Sequence, residues 1–141
     1  MRINGSYTPT KWEETTIEVI EERTQLTKVT AEFKFEGDIE GVAKVEYLMF
    51  YSSFDLANMH NAEAQYVGQI RIIGILDGKS GSFVANDSGT FIGGVAQSTL
   101  SIIAGSGTGE LSAIVGIGEY SASQKGSRWE FDVTLYPSFN E

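Results

Sequence analysis

The feature that most constrains this chain is a two-residue alternation of apolar and charged side chains, cut at short intervals by glycine. Val29, Ala31, Phe33 and Phe35 fall on one face of residues 28 to 36, and Lys28, Thr30, Glu32, Lys34 and Glu36 on the other. Trp129, Phe131, Val133 and Leu135 repeat the pattern against Arg128, Glu130, Asp132 and Thr134. A period of two matches the pleat of a strand and no helix, so each segment predicts a strand with one face in a core and one in water.

The middle of the chain is apolar on both faces. Val45, Tyr47, Met49 and Tyr51 alternate with Leu48 and Phe50, and Ile70, Ile72 and Leu76 with Ile73 and Ile75. Strands of this kind are covered on both sides. A subunit neighbour or a short helix would supply the cover, and residues 53 to 65 are the only stretch with helical character. The expectation is a homodimer or homotrimer.

Gly37 and Asp38, Gly41, Asp77 and Gly78, Gly81, Asp87 to Gly89, and Gly105 to Gly109 read as turns. Between them lie about eight strands, joined mostly by tight hairpins, with no linker, low-complexity tract or repeat. Consecutive hairpins predict an all-β fold, a single closed antiparallel β-barrel spanning residues 1–141. A sandwich is the competing arrangement, but glycines within strands, such as Gly68, Gly74, Gly116 and Gly118, suit the bending that closes a barrel.

At 141 residues the chain can bury roughly 70% of its unfolded surface without staples. It contains no cysteine, which excludes disulfides, thiolate metal sites and thiol nucleophiles and fits a reducing compartment. With no secretory run at the N-terminus and no membrane-spanning stretch, the expected location is cytoplasmic. Asn4-Gly-Ser and Asn86-Asp-Ser are then chance glycosylation matches. A net charge of −9 with scattered basic residues argues against nucleic acid and acidic membrane surfaces as partners.

The chemical motifs are sparse. Gly105 to Gly109, GSGTG, lacks the lysine and following helix of a phosphate loop; Leu111, Ala113, Val115 and Ile117 continue at period two, so a hairpin is expected. Asp38 and Glu40 lie between Gly37 and Gly41 and are better explained by a turn than as a paired-carboxylate site. His60 is the single histidine, and neither a metal site nor a GxSxG nucleophile elbow accompanies it. No cofactor or metal is expected. Trp12, Phe33, Phe35, Phe83, Trp129 and Phe131 read as core or, in a hollow barrel, cavity walls.

Three blocks carry a resemblance: GDIEG at Gly37 to Gly41, YVGQIRIIGILDGKSGSFV at Tyr66 to Val84, and IAGSGTGELSAIVGIGEY at Ile103 to Tyr120, together under a third of the chain. They resemble a family of short, mostly bacterial proteins of unknown function grouped with the allene oxide cyclase-like barrels. The resemblance implies that lipocalin-like architecture and little chemistry. Allene oxide cyclases hold an apolar epoxide in the barrel and steer its cyclisation with a carboxylate and an ordered water, and no segment here reproduces that polar cluster.

The leading functional expectation is a barrel that binds a small apolar molecule in its interior, with a few polar groups at the mouth. The candidate ligand-binding residues are Tyr66, Gln69, Arg71 and Glu110. Arg71 and Gln69 share a face in an apolar strand, where a buried guanidinium would need a carboxylate partner from the protein or from a ligand. Glu110 is placed to open a strand at the barrel mouth, and is the first candidate for a general acid or base should the protein be an isomerase or cyclase. A third possibility is an assembly domain without a ligand.

Overall fold

The computed structural model describes residues 1–55, 57, 58 and 61–136. His60 and part of the segment expected to be helical lie outside them. The described chain forms nine antiparallel strands: β1 (Arg2–Glu21), β2 (Thr24–Gly37), β3 (Ile39–Ser53), β4 (Glu63–Leu76), β5 (Lys79–Ile92), β6 (Val95–Ile102), β7 (Thr108–Gly109), β8 (Val115–Ser123) and β9 (Gly126–Thr134). Ala64 and Gln65 therefore belong to a strand.

Hydrogen bonds run β4-β3-β2-β1-β9-β8-β6-β5, and β4 also pairs with β5, so eight strands close into a ring. Arg2 to Gly5 against Trp129 to Asp132 make the β1–β9 join, and the N-terminal ammonium donates to the Val133 carbonyl at 2.8 Å. The two-residue β7 lies against Gly81 and Ser82 of β5. Closure satisfies backbone groups that an open sheet would leave at its edges.

One end of the ring carries the β2–β3 turn at Gly37 and the β4–β5 turn at Asp77 and Gly78, with φ of 51° and 74° at the latter pair. Positive φ at both residues of a two-residue hairpin loop is the type I′ pattern, which favours Asp-Gly there. The opposite end carries the β5–β6 turn, where Gly93 and Gly94 have φ of 61° and 78°. At this end β1 and β2 continue as an arm beyond the β8–β9 turn, paired to each other from Pro9 and Phe33 outward.

The predicted alternation holds in both marked strands: Val29, Ala31, Phe33, Phe35, Trp129, Phe131, Val133 and Leu135 are buried. Trp12, read as core or cavity wall, is half-exposed because it stands on the arm. The first end of the interior is filled by Phe35, Ile39, Ile72, Leu76, Phe83 and Phe131. Inward-facing glycines make room for rings: a Cβ on Gly68 would meet the Tyr47 ring at 2.8 Å, and one on Gly89 the Tyr66 hydroxyl at 2.7 Å.

Several turn expectations and one strand expectation fail. Gly41 lies within β3, paired with Gly74, and Gly81 within β5, paired with Gly74 on one side and Gly109 on the other. Asp87 to Gly89 lie in the middle of β5, because the register continues through them against Gly68 and Tyr66 of β4. Gly105 to Gly109 do not form a simple hairpin, since they include the short strand β7. Leu111 and Ala113 do not begin a strand; β8 starts at Val115, and Leu111 and Ile114 instead turn inward to plug the packed end.

Candidate functional site

The second end of the interior is hollow. A cavity of about 480 Å³ lies between the β1–β2 arm and the β5–β6 and β8–β9 turns, walled by Tyr7, Phe33, Tyr47, Met49 and Tyr66 and rimmed by Trp12. Its polar groups arise from strand register. Tyr47 (β3), Tyr66 (β4), Asp87 (β5), Ser98 (β6) and Tyr120 (β8) all sit at inward positions, and each is buried. Gly68, which pairs with both Tyr47 and Asp87, leaves the space the Tyr47 ring fills.

Two phenols converge on one carboxylate oxygen. Tyr47 donates its hydroxyl to Asp87 Oδ2 at 2.8 Å and Tyr120 donates to the same oxygen at 3.1 Å, while the two hydroxyls also contact each other. Tyr66 and Ser98 share a hydrogen bond of 2.5 Å. Asp87 Oδ1 is buried and has no hydrogen-bond partner among the described residues.

Burial pushes the Asp87 pKa up to about 6, and the hydroxyls of Tyr47, Ser98 and Tyr120 hold it from rising further. Burial and then the negative charge of Asp87 raise Tyr47 well above the usual phenol range. Tyr120 is raised by burial and then by Tyr47 and Asp87, so both phenols stay protonated donors at neutral pH.

A second carboxylate stands at the mouth. Glu14, on the inner face of the arm, accepts from Tyr51 and Thr27 at 2.8 Å each and from the Trp12 indole at 3.3 Å. Burial, followed by the bond to Glu14, raises the Tyr51 phenol. Among the described residues no group of three or more His, Cys, Asp or Glu could hold a metal ion.

Of the residues proposed from sequence, the ring brings Tyr66 alone to this cavity. Gln69 and Arg71 follow Tyr66 at odd spacing, so the alternation turns them to the outer face, where Gln69 bonds Asn86 and Arg71 donates to Ser82 Oγ. Glu110 lies on the turn after β7, exposed, and accepts from the Ser80 backbone at 3.2 Å. Ser80 is at the opposite end of β5 from Phe91, about 35 Å away along the strand. Asp87 escaped the sequence reading because Asn86-Asp-Ser-Gly looks like a turn. The available signal was its spacing from Phe83 and Ala85, which puts it on their face.

A family model described as a protein of unknown function (DUF3224) matches residues 3–135. The crystal structure of a protein of unknown function from the DUF3224 family of Shewanella oneidensis MR-1 is similar in fold, with a TM-score of 0.72 and 21% identity over 97% of this chain and 98% of that one. No curated protein matches the sequence significantly.

Proposed function

The chain belongs to the DUF3224 family, and from its own geometry we propose that it binds one small, largely apolar organic molecule in the hollow end of the ring. The observation that carries this is the aromatic cavity of about 480 Å³ floored by hydroxyls that converge on a buried carboxylate. A pocket of that volume, apolar with few oriented polar groups, has the character of a small-molecule site. The closed ring also suits the barrel that the allene oxide cyclase resemblance implies, with the cavity as its mouth. If a carboxylate takes part in chemistry on the bound molecule, Asp87 replaces Glu110 as the candidate.

The test is to fill the cavity. Ala122 lines it and packs against the core, so Ala122→Trp should place an indole in the ligand's space. Saturable uptake of a neutral fluorescent apolar dye by the unaltered protein, lost in a folded Ala122→Trp protein, is the expected result. Uptake that survives the substitution would place binding elsewhere.

A second reading concerns assembly. Val42, Leu48, Phe50, Val67 and Ile75 are 40–57% exposed on the outer faces of β3 and β4, and Leu48 and Val67 are register partners. We propose that a second copy of the chain covers them. Lys44 and Glu46 lie between Val42 and Leu48 on the same face, so a twofold axis through the patch would set opposite charges against one another.

A further inference from the structure

We infer that the molecule held in the cavity is a hydrophobic organic cation, a protonated amine or quaternary ammonium on an apolar body. The inference rests on the reading of the cavity as a ligand site and adds the charge of the occupant.

The lining is electrostatically one-sided. Glu14 is its one charged side chain, and neither lysine, arginine nor histidine lines it among the described residues. Asp87 lies directly behind Tyr47 and Tyr120. Both carboxylates are held by neutral donors: hydroxyls at Asp87, and hydroxyls plus an indole N–H at Glu14. The ion pairs among the described residues involve neither of them. An entering anion would lose its hydration and meet two carboxylates with no compensating cation, which is costly in a partly dry site.

The aromatic walls favour the same sign. Half of the residues lining the cavity are aromatic, Trp12 and five tyrosines among them. The faces of such rings are negative and attract an ammonium group, most strongly where water is excluded. The hydroxyl protons complete the selection. Tyr47 and Tyr120 commit theirs to Asp87, and Tyr51 commits its own to Glu14. What these oxygens have left to offer is lone pairs, which accept from an N–H donor and have nothing to give a carboxylate or carbonyl.

The experiment compares three probes of one shape and different charge by calorimetry at low salt: 1-naphthylmethylamine, 1-naphthylmethanol and 1-naphthoic acid. The amine should bind at least tenfold more tightly than the alcohol, and the acid should give no measurable binding. Glu14→Gln should weaken the amine about fivefold more than it weakens the alcohol. Equal affinity for amine and alcohol, or binding of the acid, would overturn the charge inference and leave the cavity as a neutral ligand site. No uptake of any probe at millimolar concentration would overturn both readings.

Discussion

Tyr47 and Tyr120 reach across the full width of the ring to donate to the same oxygen of Asp87. Three strands separate β3 from β8 whichever way round the ring one counts, so the two hydroxyls meet near its axis. They form a polar floor between the packed end, filled by Phe35, Phe83 and Phe131, and the hollow end.

This floor makes stability depend on pH. The Asp87 value of about 6 lies above its ordinary 3.8, so the folded protein holds this proton better than the unfolded chain does. That contribution is fully present below about pH 4 and is lost as pH rises through about 6. A shift of this size corresponds to roughly 3 kcal/mol. Denaturant titrations from pH 4 to 7.5 should therefore show a fall in stability that Asp87→Asn largely removes relative to the unaltered protein. The same slope in both would contradict the placement of Asp87.

The two phenols should be separable from their rings. Tyr47→Phe keeps the packing over Gly68 but removes one donor from a carboxylate whose Oδ1 already lacks a partner among the described residues. A cost of about 1–2 kcal/mol at pH 7.5 is expected. Because that bond holds the Asp87 pKa down, carbon-detected NMR of the Asp87 carboxyl should show its midpoint move upward from about 6. A downward or absent shift would contradict the hydrogen bond.

Gly89→Ala tests how closely the tyrosines fit. The added methyl would lie 2.7 Å from the Tyr66 hydroxyl and 2.0 Å from the Gln97 carbonyl oxygen, so a loss of more than about 2 kcal/mol is expected. Gly78→Ala meets no atom within 4 Å but has φ of +74°, and should cost only about 1 kcal/mol of backbone strain. Thermal melts of the two proteins should rank in that order, and the reverse ranking would argue against tight packing at Tyr66.

The outer apolar patch predicts oligomerisation. Light scattering at micromolar concentration should give the mass of a dimer, and Leu48→Glu should reduce it to a monomer with unchanged circular dichroism. A monomeric unaltered protein would contradict the proposal.

The strands were legible where one face is charged and the other apolar, as in Lys28 to Glu36 and Arg128 to Leu135, because periodicity alone places such side chains. The site was not legible, for two physical reasons. Turn chemistry and strand glycine look alike in sequence: Asp77-Gly78 is a turn, whereas Asp87-Ser-Gly89 is mid-strand, where glycine admits a tyrosine. On a strand apolar on both faces, nothing local says which face is inward. Choosing the wrong face selected Gln69 and Arg71, so that of the inward set Tyr66 was named but Tyr47, Asp87 and Tyr120 were not.

The central claim, that the hollow end is a binding site, is tested most directly by methyl NMR during titration with neutral 1-naphthylmethanol. The account predicts saturable shifts at the Met49, Ala96 and Ala122 methyls that line the cavity, with Ile72 and Leu76 in the packed end unmoved. Shifts confined to outward-facing Leu48 and Val67, or none at all in the folded protein, would contradict it.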